Sequence, residues 1–201
     1  MAEAQSRAAR LNSNERKVLL VDAAEETFAA RGYTQAGLAE VATLAGVSKT
    51  LLYHYFPDGR PELYREVMDR LVDQVLDAVR AATRAPTGVD ERVAGFVKAL
   101  VGYFERHQDA YRLLILEPWG SGDAGVVGQA VAVRARMANE LNQLLAPAGQ
   151  PLPRTLAGAA AAIGAVLQVC ELQMAGQLSR SAAVDTAQDF VRAGLVALDL
   201  L

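Results

Sequence analysis

The stretch LAEVATLAGVSKTLLYHYFPDGRPELY, residues 38–64, decides the fold of this chain. Apolar residues in its first part recur at helical spacing, and a glycine follows at a position where a left-handed backbone would end a helix. Ser48 can then cap a second short helix over 49–55, which Pro57 ends. The pattern predicts two short helices joined by a tight turn at 46–48, the geometry of a helix-turn-helix.

The second of these helices carries two different faces. Leu52 and Phe56, four residues apart, are predicted to face the protein core. Another face presents a cation, a hydroxyl, a phenol and an imidazole, each able to donate a hydrogen bond to phosphate oxygens or base edges. This mixture favours DNA binding, whereas an ordinary helical hairpin with a polar exterior is the alternative. The four side chains are Lys49, Thr50, Tyr53 and His54.

The rest of the chain predicts an all-α protein. It has 201 residues, 52% of them apolar, and Val, Ile and Thr do not cluster in short alternating runs. Ser13 or Asn14 is predicted to cap the first helix, and Gly32 to end it. A loop is expected at 118–122. The nine predicted helices cover about 15–31, 36–44, 49–55, 61–84, 90–107, 109–116, 124–145, 154–178 and 182–200.

Charge and cysteine content limit the cellular setting. The net charge is −3, so the whole molecule is not a basic nucleic-acid binder, and the first twenty residues are its most basic part. The lone Cys170 excludes an intramolecular disulfide, which fits a reducing compartment. No signal peptide is evident, and the longest apolar stretch, 156–167, is short for a membrane span. We therefore expect a cytoplasmic protein without membrane association.

The central motif resembles the TetR family. An Ala-Gly-Val-Ser turn at 45–48 precedes Leu-Tyr-His-Tyr-Phe-Pro at 52–57, and a basic residue then precedes a Glu-Leu pair that opens the next helix. The resemblance implies a nine-helix architecture with a three-helix helix-turn-helix head and a helical-bundle sensor domain. On this basis we expect a flexible arm at 1–13, a DNA-binding domain at 14–60, and a ligand-sensing and dimerisation domain at 61–201.

The resemblance also implies which residues contact DNA. Lys49 and Thr50 would approach bases or phosphates, and Tyr53 and Tyr55 resemble the family's aromatic phosphate contacts. The family usually has a small hydroxyl residue before Leu52; here either Thr50 takes that role or Leu51 contacts a thymine methyl group. The full predicted set is Thr34, Gln35, Ser48, Lys49, Thr50, Leu51, Tyr53, His54, Tyr55 and Arg60.

The second half is expected to hold an apolar ligand cavity with a few polar anchors. Any single Phe or Met is more often core than ligand contact, whereas Trp119, between a proline and a glycine, is the stronger candidate. His107 is most simply a cation at a helix end. Neither histidine has partners at metal-ligand spacing, so no metal or cofactor is expected. The candidates are Phe96, Tyr103, Phe104, His107, Tyr111, Trp119, Met137, Cys170, Glu171 and Met174.

The last two helices resemble the pair that forms the family's dimer interface. Residues 156–165 are dense in Ala and Gly, which allows helices to approach closely. The alternative is that this tract packs inside one chain. The predicted apolar contacts across the dimer are Ile163, Val166, Leu167, Phe190, Leu195 and Leu198.

The sequence thus predicts a regulator, most simply a repressor. It would bind a palindromic operator as a homodimer and be released by a small, largely apolar effector. An enzyme is disfavoured because the chain has no Gly-rich phosphate loop, no G-x-S-x-G motif and no metal-ligand cluster. A helical ligand carrier or interaction protein without DNA binding is the remaining alternative.

Overall fold

The computed structural model describes residues 12–84, 88–145 and 153–199. Within those ranges the chain forms nine α-helices and no strand, which confirms the all-α prediction. Most of the predicted arm at 1–13 lies outside the described residues, as do the connections at 85–87 and 146–152. The helices are α1 (Ser13–Gln35), α2 (Leu38–Leu44), α3 (Lys49–Tyr55), α4 (Arg60–Thr83), α5 (Val89–Arg106), α6 (Gln108–Tyr111), α7 (Ala124–Leu145), α8 (Pro153–Met174) and α9 (Arg180–Ala197).

One compact unit contains the described residues up to Leu71 together with 109–130. Its core collects the buried faces of α1, α2, α3 and the first half of α4, with Leu52 and Leu63 fully buried. Three aromatic rings pack beside them: Tyr64 lies edge-on to both Phe28 and Tyr33, with centroids 4.8 Å apart in each case. Burial of such rings is a major source of stability in a small unit.

The start of α1 differs slightly from the prediction. Asn12, and neither Ser13 nor Asn14, caps the helix: its side chain accepts from Glu15 N–H at 3.0 Å, and the Glu15 carboxylate accepts from Asn12 N–H at 2.8 Å. This reciprocal capping box satisfies two amide groups at once, which outweighs a single serine cap. Gly32 was predicted to end the helix; it breaks the helix, with φ 74°, but α1 continues to Gln35.

The turn of the helix-turn-helix forms as the sequence predicts. Gly46 has φ 66°, a left-handed conformation that favours glycine. Ser48 caps α3, because its hydroxyl oxygen accepts from Leu51 N–H at 3.1 Å. The helix ends at Tyr55, because the next residue, Phe56, does not have helical geometry.

The segment after α6 is less regular than expected. A single helix over 109–116 followed by a loop was predicted, but α6 stops at Tyr111 and the chain continues as a π-helical turn over Arg112–Leu116 and a 3-10 turn over Glu117–Gly120. Pro118 has no N–H, so α-helical hydrogen bonding cannot pass through it. The tighter turn that follows places Glu117 beside α1, within the same unit.

A second compact unit contains 72–108 and 131–199 among the described residues. Helices α5, α8 and α9 pack together in it, burying Phe96, Ile163 and Val191. Arg80 donates two hydrogen bonds to the largely buried Glu140, at 3.0 and 2.7 Å. These hydrogen bonds, and the charge of the carboxylate, raise the pKa of the Arg80 guanidinium. Buried charge is tolerated here because it is paired in this bidentate way.

Helix α8 is more apolar than the sequence analysis allowed. By length and composition alone, Arg154–Met174 could cross a membrane, with a mean hydropathy of 1.6. However, 44% of its most apolar window is buried within the unit, where Ala159 and Val166 lie in the core. Packing inside the unit accounts for the apolar residues on that side of the helix only. The helix ends four residues earlier than predicted, shortly before Gly176 with φ 72°.

Candidate DNA-binding surface

Helix α3 presents the face that the sequence predicted. Lys49, Thr50, Tyr53 and His54 are exposed, whereas Leu52 is fully buried in the core. The predicted orientation of the helix is therefore confirmed. We call these four exposed side chains the α3 outer face.

The aromatic and basic groups of this face are held in place by local contacts. The Tyr53 ring lies next to Gly59, where an added Cβ would be 3.3 Å from the ring. The Lys49 ammonium lies 5.8 Å from the centroid of the same ring, close enough for a cation–π contact. Among the described residues Lys49 has no carboxylate partner, so its charge stays available to an anion.

Tyr55 and Ser48 use their hydroxyl groups within the unit but keep donor capacity. The Tyr55 hydroxyl lies 3.1 Å from that of Ser13, and when Ser13 donates in this contact, the Tyr55 proton is free to bind a phosphate. Ser48 accepts from an amide, which leaves its own O–H available. Leu51 is half-buried beside them, and Thr34 and Gln35 are exposed.

Arg60, predicted to contact DNA, makes a hydrogen bond within the first unit. Its guanidinium donates to the carbonyl oxygen of Thr34 at 3.0 Å and lies over the Tyr33 ring, 5.8 Å from the centroid. As the first residue of α4 it reaches the end of α1, where a free carbonyl group needs a donor. This contact uses one of the five guanidinium donors, so a phosphate contact by Arg60 stays a prediction.

Five predicted ligand-binding residues are buried in the second unit, and three of the predicted set come together. Tyr103 packs edge-on against Phe104 and lies 4.5 Å from the His107 ring, between centroids. Its hydroxyl donates to Gln74 at 3.1 Å, a polar partner that sequence reasoning missed because α4 carries no distinguishing motif there. The five buried residues are Phe96, Tyr103, Phe104, Met137 and Cys170.

Other predicted ligand residues do not join this group. Glu171 is exposed because it lies on the outward side of α8, as do Gly164 and Gln168, and this corrects its assignment to a cavity. Met174 is half-buried, and His107, although its ring lies beside Tyr103, is exposed. Tyr111, buried, and Trp119, with 51% of its surface exposed, belong to the other compact unit.

The buried Cys170 side chain can contribute only apolar contacts. Burial raises the pKa of its thiol to about 12, so the sulfur is uncharged at neutral pH and a poor nucleophile. No group of three or more metal-binding side chains occurs in the described part of the chain.

The predicted dimer contacts need revision. Ile163, Val166, Leu167 and Leu195 are buried inside the unit, because they form the side of α8 and α9 that packs on the core. They have no surface left for a partner chain. Phe190, by contrast, is 63% exposed, and Leu198 is half-buried. Besides Phe190, these helices expose the apolar Leu156 and Val196. They also expose several small residues: Ala157, Ala160, Ala161, Gly164, Thr186, Ala193 and Ala197.

Comparison with known proteins agrees with the geometry of the first unit. Residues 20–67 match the family model described as bacterial regulatory proteins, tetR family. The chain is 36% identical over 105 residues to the HTH-type transcriptional activator FasR of Mycolicibacterium smegmatis, covering 52% of this chain and 48% of that protein. It is 28% identical over 136 residues to the HTH-type transcriptional regulator LuxR of Vibrio harveyi, covering 68% and 63%. The matches thus span about half to three-fifths of these relatives.

Solved structures extend the similarity to most of the chain. A tetR-family regulator from Streptomyces coelicolor matches with a TM-score of 0.75 at 20% identity, over 94% of this chain and 83% of that one. FadR from Bacillus subtilis, in complex with stearoyl-CoA, matches with a TM-score of 0.71 at 15% identity, over 88% and 98%. At this level of identity, these similarities show a shared fold.

Proposed function

Because this chain belongs to the TetR family of bacterial regulatory proteins, we propose that it is a ligand-responsive transcriptional regulator that binds a palindromic operator as a homodimer in the cytoplasm. The α3 outer face is the observation that carries this proposal. It combines a cation with a hydroxyl, a phenol and an imidazole on a capped helix whose other side is anchored by Leu52. Its family comprises DNA-binding regulators and not enzymes.

Homodimerisation follows from the small size of the DNA-binding element. Helix α3 has two turns, and one such helix reads too few base pairs for a specific site, whereas two can occupy successive major grooves about 34–36 Å apart. The outward faces of α8 and α9 suit a partner helix pair, since small residues permit close approach and Phe190 supplies an exposed apolar anchor. We propose that residues 61–201 sense the ligand and dimerise, and that 14–60 bind DNA.

The effector is proposed to be small and largely apolar. The buried aromatic residues of the second unit and the polar ends of Tyr103 and Gln74 supply the two kinds of group that such a ligand needs. The stearoyl-CoA complex of FadR supports an acyl chain as the class of ligand to test first. Release of DNA on ligand binding would make the protein a repressor. Since FasR is named an activator, activation is the second candidate.

DNA binding is tested by selection from a pool of duplexes with randomised centres. The wild-type protein is expected to enrich a palindrome with two half-sites about one helical turn apart. Tyr53→Ala should weaken binding to every duplex in the pool, because a phosphate contact is independent of sequence. If nothing is enriched and Tyr53→Ala changes nothing, the chain is a ligand carrier. Transcription of a promoter fused to the enriched duplex separates repression from activation.

Effector coupling is tested by reciprocal titration. Stearoyl-CoA is the first probe, and its affinity is measured for the free protein and for the protein saturated with the enriched duplex. If the effector releases DNA, each ligand should weaken the other's binding by the same factor, about 5–150-fold. A ligand affinity that is identical with and without the duplex contradicts effector-driven release.

A further inference from the structure

The break in helix α1 at Gly32 interrupts its backbone hydrogen bonding. In an unbroken α-helix, the amide N–H of Tyr33 donates to the carbonyl oxygen of Ala29, four residues earlier. Gly32 lies between them with φ 74° and ψ 168°, which turns these two groups apart. Backbone groups that are removed from water need other partners. The Tyr33 N–H and the Ala29 carbonyl oxygen are therefore among the groups that another part of the unit must satisfy.

Two side chains from the segment after α6 supply these partners. Tyr33 N–H donates to the Glu117 carboxylate at 2.7 Å, and Arg112 donates to the Ala29 carbonyl oxygen. Arg112 and Glu117 also pair with each other. The missing helical hydrogen bond is thus replaced by a continuous series that runs from carbonyl to guanidinium to carboxylate to amide. We call this pair of residues the Arg112–Glu117 clasp.

The two clasp residues cannot exchange places without losing their hydrogen bonds to the backbone. A guanidinium group only donates hydrogen bonds, and an ionised carboxylate only accepts them. Exchanging the two residues would keep an ion pair but would place a carboxylate beside the Ala29 carbonyl and a guanidinium beside the Tyr33 amide. The site is also tight, because a Cβ added at Gly32 would lie 3.0 Å from the Glu117 carboxylate. These requirements distinguish the clasp from an ordinary surface ion pair.

The same segment is bound to α4. The Tyr64 hydroxyl donates to the carbonyl oxygen of Leu113 at 2.8 Å, inside the π-helical turn that separates the two clasp residues. The Tyr64 ring in turn packs on Tyr33. Residues 112–117 therefore contact both α4 and the break in α1, and that break lies a few residues before α2 begins at Leu38.

We propose that Arg112 and Glu117 are positioning residues for DNA binding. They contact no DNA themselves; they hold the break in α1 and so set the direction from which the chain enters α2 and α3. This inference rests on the proposed DNA-binding function. Ala29, Tyr33 and both clasp residues lie in the same compact unit as α3, so the effect passes through contacts that the structure shows.

The test compares a charge exchange in the clasp with the same exchange in an ordinary ion pair. Glu105 and Arg180, 3.2 Å apart, join α5 to α9 in the second unit and serve as the control. For Arg112→Glu/Glu117→Arg, Tyr33 amide exchange should accelerate by at least about tenfold, because a charged hydrogen bond is lost. Affinity for the enriched duplex should fall by a similar factor at a temperature where the protein is folded. Glu105→Arg/Arg180→Glu should match the wild type in both measurements.

A conservative variant separates positioning from general stability. Glu117→Gln retains an oxygen that accepts from Tyr33 N–H, so it should bind DNA closer to the wild type than Glu117→Ala does, even if both melt at lower temperature. Wild-type affinity and wild-type Tyr33 exchange in the exchanged clasp, or in Glu117→Ala if the exchange does not fold, would overturn the inference. If the wild type binds no DNA, the proposed function fails, whereas Tyr33 exchange still tests the clasp.

Discussion

Lys49→Glu is expected to abolish specific operator binding while leaving the protein folded. The ammonium lies on the α3 outer face without a carboxylate partner among the described residues, so its replacement removes an attraction and adds a repulsion toward phosphate. A contact of this kind is worth about 1–3 kcal/mol, and a homodimer would lose it twice. The dissociation constant for the enriched duplex should therefore rise by at least about thirtyfold, measured by fluorescence anisotropy.

The chain offers a matched control for this charge reversal. Lys98 is also exposed, but it lies on α5 in the second unit. Lys98→Glu changes the net charge by the same amount and should leave operator affinity within about twofold, because exposed charges distant from DNA are screened. Equal losses for the two variants would mean that net charge, and not the α3 outer face, determines binding.

Leu52→Ala is expected to have the largest effect on stability. Leu52 is fully buried between α3 and the core of its unit, and truncation of such a side chain costs about 2–5 kcal/mol through lost burial and the cavity that remains. The free energy of unfolding, measured by urea denaturation at fixed protein concentration, should decrease by this amount. DNA binding should fall as well, since α3 would lose its anchor.

The neighbouring residue provides the comparison. Tyr53→Ala removes a larger side chain from the same helix, but that side chain is 41% exposed. Its effect on unfolding should stay below about 1 kcal/mol, even though it weakens DNA binding. A large loss of stability in Tyr53→Ala, with none in Leu52→Ala, would show that α3 faces the other way.

The helix-turn-helix could be predicted from local signals alone. Gly46 requires a left-handed backbone, Ser48 supplies a cap, and Pro57 limits the helix, so each boundary depends on residues within a few positions of it. The two faces of α3 follow from helical spacing, since Leu52 is apolar and its neighbours are not. The structure confirms these predictions. They could be made from the sequence because none of them depends on tertiary contacts.

The Arg112–Glu117 clasp could not be predicted in this way. Glu117 bonds to an amide 84 residues earlier in the chain, and no local pattern identifies such a partner. The glycine that breaks α1 signals that two backbone groups need partners, but it does not indicate which side chains supply them. The hydrogen bond from Arg60 to the Thr34 carbonyl oxygen could not be predicted for a related reason, because spacing alone does not reveal which donor the end of α1 uses.

The prediction that Ile163, Val166, Leu167 and Leu195 contact a partner chain was wrong for a different reason. Both sides of α8 consist largely of small or apolar residues, so periodicity cannot tell which side packs on the core. The larger residues Ile163 and Val166 were assigned to the interface, whereas they fill the interior of the unit. Phe190 was placed correctly on the surface because polar and small residues surround it on α9, although its role in a dimer stays a prediction.

The most direct measurement compares wild-type affinity for the enriched duplex with affinity for a scrambled duplex of equal length, across a series of salt concentrations. We expect binding to the enriched duplex to be at least about a thousandfold tighter. The logarithm of each affinity should fall linearly with the logarithm of salt concentration, because phosphate contacts release counterions. Equal affinities for the two duplexes, or affinities that do not change with salt, would contradict the assignment of the α3 outer face to operator recognition.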